Sequence, residues 1–155
     1  MRRWIGWFRS RRAQRGFGTN VANVGSVIFW AVLFTGSLGI IQVVRFDAIL
    51  NAAVHTALAS EAQNGCWTSA TTQAVVSTMT GAGLNPSSVH VAGATTATTP
   101  YGHPVDVSLN TYANVGMLGL TFTVLLRASA TGTSFYVPAA VGAVNPACSA
   151  PDGVL

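Results

Sequence analysis

Residues 21–44 read VANVGSVIFWAVLFTGSLGIIQVV, 24 consecutive positions without a charge. Wound as an α-helix, the run is about 36 Å long, enough to cross a hydrocarbon core of roughly 30 Å with some tilt. Asn23, Ser26, Thr35 and Gln42 within it are polar but uncharged, which suits hydrogen bonding across a helix–helix interface. The stretch reads as a single transmembrane helix. The rest of the 155-residue chain is long enough for one small domain and too short for two.

Six of the eight arginines, Arg2, Arg3, Arg9, Arg11, Arg12 and Arg15, lie ahead of this run, and Arg45 and Arg127 follow it. The four acids, Asp47, Glu61, Asp106 and Asp152, all come later. The pI near 9.8 therefore describes a basic tail and not a basic domain. Arginines gather on the cytoplasmic flank of a span, so the N-terminus is expected inside the cell membrane and the C-terminal domain outside it. Trp4, Trp7 and Phe8 stand among the arginines, a mixture that can mark nucleic-acid binding. Aromatics at headgroup level beside topology-setting arginines explain it better, and no nucleic-acid partner is expected. A cleaved secretory signal ending near Ser37 and Gly39 is a competing reading. Against it, the apolar run continues through Ile40, Ile41, Val43 and Val44 and passes unbroken into a periodic helix.

That periodic helix is marked by Phe46, Ile49, Leu50, Ala53, Val54, Ala57 and Leu58, the stripe of an amphipathic helix. Arg45, Asp47, Asn51, His55, Ser60 and Glu61 are read as mainly off the stripe. Asn64-Gly65 is a stop signal, so one helix of about 63 Å is expected over 21–62. Phe46, Ile49, Leu50, Val54 and Leu58 are the residues expected to hold a head domain against it. A second helix is expected at 68–80, closed by Gly81 and Gly83, with Trp67, Ala70, Ala74, Val75 and Met79 facing the first. A short strand at 88–92 and a Thr-rich loop at 94–104 follow.

Val105, Val107 and Leu109 then alternate with polar residues, and Leu120, Phe122, Val124 and Leu126 repeat the period more strongly. These two strands are expected to pair as an antiparallel hairpin turning through 113–119. The apolar run 115–126 is too short for a second span. From Ser129 onward the Ala-, Gly- and Pro-rich tail reads as irregular. The fold class is α+β, a long N-terminal transmembrane helix continuing into an amphipathic helix packed on a small antiparallel sheet.

Cys66 and Cys148 fall on the same side of the span. In an oxidising compartment an even count reads as a disulfide; two buried free thiols are the alternative. The chemistry of catalysis is absent from the pattern. Four widely spaced acids offer no carboxylate pair, and His55, His90 and His103 lack zinc-site spacing. No enzymatic activity, catalytic residue, metal or cofactor is expected.

The layout resembles the type IV pilin-like proteins, most closely the TadE-type minor pilins (pseudopilins) of tight-adherence pili. Its carriers are an arginine-rich leader ending Arg15-Gly16-Phe17, an apolar helix with an amphipathic extension, the GHPVDV strand at 102–107 and the alternating strand at 120–126. The resemblance covers roughly residues 9–130. It implies cleavage by a prepilin peptidase after Gly16, leaving Phe17 as the new N-terminus, and glycine leaves a scissile backbone unhindered. It also implies other pilin-like subunits, the pilus assembly platform and the lipid bilayer as partners. The chain departs from the pattern at Val21, the fifth position after the cut, where many relatives carry a glutamate. In the family that acid pairs with the free amine of a neighbouring subunit in the filament. An unpaired charge in a dry helical core is costly, so a chain without the acid suits a minor, priming or tip role. The expected organisation is a cytoplasmic leader at 1–16, a span at 17–45 and an extracytoplasmic head at 46–155. The alternative is a permanently anchored binding module, uncut at Gly16, that makes contact through the Thr-rich loop and Tyr101.

Overall fold

One helix organises the molecule. α1, Ile5–Asn64, has 60 residues and is about 90 Å long at 1.5 Å per residue. The computed structural model describes the backbone of residues 5–117, 120–151 and 153–155, and the side chains of 23–116 and of 120 onward except 152. α1 starts well before the expected position 21, because arginine, alanine and glutamine at 9–15 propagate a helix as readily as the apolar run does. It ends at the expected stop. Gly65 takes φ +74°, and its N–H donates to Glu61 O at 2.7 Å, the left-handed cap that glycine adopts without strain. A Cβ there would also lie 2.6 Å from Thr99 O.

α2, Ser69–Gly81, is opened by Thr68 in a reciprocal capping box with Thr71. Thr71 N–H donates to Thr68 Oγ1 at 3.3 Å, and Thr68 N–H to Thr71 Oγ1 at 3.4 Å. Thr71, Val75 and Met79 form its buried face. Ala70, expected to face α1, is exposed. The inward position falls one residue later, on Thr71, whose hydroxyl is satisfied by Ser60 Oγ at 2.8 Å. Thr68→Ala is expected to destabilise the head by about 1 kcal/mol, the usual cost of an N-cap. Urea unfolding of the full chain in detergent micelles checks it, with Thr68→Ser as the near-neutral control.

A 3-10 turn at Pro86–Ser88 leads into a three-stranded antiparallel sheet of order β1-β2-β3. The strands are β1 Val89–Ala94, β2 Pro104–Met117 and β3 Leu120–Thr133. β2 and β3 pair without interruption from Pro104↔Thr133 to Met117↔Leu120. The hairpin is thus longer than expected at both ends: 113–117 is strand and not turn, and 129–133 is strand and not irregular tail. The lower end was hidden because its inward positions, Ala128, Ala130 and Gly132, are small. The period of two survives there, but the hydrophobic contrast that advertises it does not.

α1, α2 and the sheet enclose one core. Leu50, Val54, Trp67, Val75, Met79, Val89, Val107 and Leu109 are all at most 1% exposed, and each such aliphatic or aromatic side chain contributes about 1.5–3 kcal/mol by burial. The fold is α+β, with a long apolar N-terminal helix, a second helix and a small antiparallel sheet.

Candidate functional site

Among the described side chains of α1, the head covers mainly those of its last third. Leu50 and Val54 are fully buried, and Phe46, Ile49 and Leu58 are half-buried against the same core. From residue 23 to 44 the helix is nearly bare: Val27, Ile28, Phe29, Trp30, Phe34, Leu38, Ile40, Ile41 and Val44 are all exposed. This stretch is long and apolar enough to cross a membrane. Bare surface of this kind is strongly disfavoured in water and needs a lipid or protein partner. It is the largest candidate functional surface among the described residues.

Charge returns at the junction. Arg45 donates through Nη2 to Ala82 O at 3.2 Å, placing a cation on the carbonyl end of α2, where it also complements the helix dipole. Asn51 Nδ2 donates to Asp47 O and to its carboxylate at 2.9 and 3.1 Å. Gly16 and Phe17 fall within the helical backbone of α1, and their side-chain surroundings lie outside the described residues, as do those of Val21. Gly16 and Gly18 each have a helix propensity about 1 kcal/mol poorer than alanine.

At the other end of α1 the chain is tied into a corner. Cys66 and Cys148 are disulfide-bonded, their Cα atoms 5.6 Å apart. Ser149 N–H donates to Trp67 O at 2.9 Å, and Asn145 Nδ2 to Asn64 O at 2.8 Å. The Thr-rich loop is built into this corner. Trp67 N–H donates to Thr95 O at 2.7 Å, Thr99 N–H to Gly65 O at 2.8 Å, and Asn145 N–H to Thr98 Oγ1 at 2.8 Å. Thr96, Ala97 and the far side from Pro100 to Pro104 are exposed, with the Tyr101 ring 6.3 Å from that of Phe135.

Glu61 is the residue the sequence reading misplaced. Its side chain is fully buried. Oε1 accepts the Thr95 N–H at 3.3 Å, and Oε2 has no partner among the described residues. Burial raises its pKa to about 7, with a smaller push from the Asp106 charge, against the lowering effect of the Thr95 hydrogen bond. The spacing did carry the signal, because 50, 54, 57 and 61 lie on one helical face. His55, His90 and His103 are all exposed, and no group of three His, Cys, Asp or Glu residues is placed to hold a metal among the described residues.

Compared with known proteins, the chain matches no family model, no curated protein and no solved structure.

Proposed function

We propose that the chain is a membrane-anchored structural subunit of the minor, TadE-like pilin type, processed by a prepilin peptidase after Gly16 and acting through helix packing without catalysis. The observation that carries this reading is α1 itself. One unbroken helix is buried by the head at its C-terminal end and bare and apolar over 23–44. Such a helix can wait in a bilayer and then pack, still apolar, among like helices in a filament core, with pilin-like subunits and the assembly platform as its partners. The six N-terminal arginines favour an inside N-terminus. The disulfide favours a head on the oxidising side. Valine at 21, in place of an acid, favours a priming or tip position over the repeating shaft; a purified filament in which this chain is the abundant subunit would refute that part.

The intact mass and N-terminal sequence of the membrane-extracted protein test the reading. A chain beginning at Phe17 is expected, and Gly16→Leu is expected to retain the leader and abolish pili. A wild-type chain still beginning at Met1 would sink the pilin reading and leave a permanent anchor. The exposed Tyr101–Phe135 pair, with Val137 and Val144 also exposed, favours a second reading, an anchored extracytoplasmic binding module. Gly16→Leu with no effect on either processing or pili would select it.

A further inference from the structure

The β2–β3 hairpin runs down α1 toward the bare segment. Near its base, a Cβ on Gly132 would lie 3.2 Å from the Leu58 methyls; near its tip, Val115 Cγ1 lies 3.0 Å from the Cβ position of Gly39. From Arg45 to Gly39 is about 9 Å of helix. The end of the hairpin therefore sits beside the part of α1 that the proposed function places at the outer side of the bilayer.

The chemistry of this end fits that position. No residue between Asp106 and Arg127 is charged. Leu120, Phe122 and Leu125 are 61%, 47% and 53% exposed, a large apolar cost for a domain surrounded by water. Val115 and Phe122 line an open apolar cleft against Gly36, Gly39 and Ile40 of α1. On the opposite face of the hairpin, Thr123 Oγ1 donates to Asn114 Oδ1 at 2.9 Å, which lowers the cost of moving both out of water. Tyr112, exposed, lies three residues back from Val115, about 10 Å of strand. Its phenol is an amphipathic ring of the kind enriched at membrane–water boundaries.

We propose that the hairpin end is a second membrane-contacting element, seated in the headgroup zone of the bilayer that α1 crosses, with Leu120 and Phe122 reaching the acyl boundary. Hydrogen bonding limits its depth. β3 is an edge strand, and β2 loses its β1 partner beyond Thr111. Unpaired N–H and C=O groups do not enter hydrocarbon, whereas water and headgroup oxygens satisfy them at the interface. The head is thereby held at two points, which fixes its orientation on the membrane.

This inference rests on α1 as a span, and the test separates the two. Nitroxide labels are placed on Leu120→Cys, Ile28→Cys and Tyr101→Cys in the full chain, in phosphatidylcholine vesicles; Cys66 and Cys148 are bonded and do not label. All three positions are exposed, so the substitutions leave the core intact. Power saturation compares collisions with oxygen, which concentrates in the bilayer, and with a water-soluble nickel chelate. The expected oxygen-to-nickel ratio is highest at Ile28, several-fold above Tyr101 at Leu120, and lowest at Tyr101. Ile28 in lipid with Leu120 as nickel-accessible as Tyr101 overturns the hairpin contact and leaves the anchor standing. A Leu120 label immobilised and shielded from both reagents overturns it in favour of a second copy of the chain. A nickel-accessible Ile28 overturns the anchor itself, and the hairpin contact with it.

Discussion

Replacing Cys66 and Cys148 together by alanine is expected to lower the unfolding free energy of the head by about 4 kcal/mol, on the chain-entropy account of a long closed loop. The bond joins residues 82 apart in sequence, so it removes a large share of the freedom of the unfolded chain. In the folded state it is also the one covalent tie on a tail with little core of its own. Among the described residues beyond Thr133, only Ser134 is fully buried. The rest is held by scattered hydrogen bonds, including Phe135 N–H to Ala62 O at 2.6 Å, Val91 N–H to Gly153 O at 3.0 Å and Leu155 N–H to Val89 O at 3.2 Å. Denaturant unfolding in micelles, followed by near-ultraviolet circular dichroism, measures the loss. Amide exchange at Ser149 and Leu155 is expected to accelerate more than exchange within β2. A loss below about 1 kcal/mol, the net worth of a single hydrogen bond, would show that the tail is held without the bond.

The parts of the molecule that rest on strong hydrophobic contrast were legible in the sequence. Residues 21–44 declare an apolar helix by length alone, and Phe46, Ile49, Leu50, Val54 and Leu58 declare its amphipathic continuation by spacing. Cys66 and Cys148 were legible as a pair, although their geometry was not. What escaped the reading escaped for physical reasons. Ala128, Ala130 and Gly132 fill inward strand positions with side chains too small to register as hydrophobic, and Leu58 uses the space they leave against Gly132. Thr71 takes a core position because Ser60 and Thr68 satisfy its hydroxyl, a compensation invisible without the fold. The height of the hairpin beside α1 depends on register across elements, which no local pattern encodes. Of the candidate site, the bare apolar surface was readable from composition, whereas the second contact proposed at Val115, Leu120 and Phe122 needed the structure.

Glu61→Gln is expected to stabilise the head above pH 7 by about 2–3 kcal/mol and to flatten its stability between pH 4.5 and 7. The carboxyl group is buried at the last turn of α1, where carbonyl ends disfavour a negative charge, and one oxygen lacks a partner. Its pKa in the fold is raised to about 7 from an ordinary 4.5. The folded state therefore keeps its proton over a range in which the unfolded chain has lost it. Stability from this group is fully present below pH 4.5, falls as pH rises, and is gone once pH passes 7. Glutamine keeps the acceptor for Thr95 N–H and has no charge to desolvate, so the variant lacks this slope. Subtracting the two unfolding curves at each pH removes every contribution the two proteins share. If the two curves stay parallel across the window, Glu61 carries no buried charge at neutral pH. The corner between Thr95 and the end of α1 would then have to admit enough water to solvate the carboxylate.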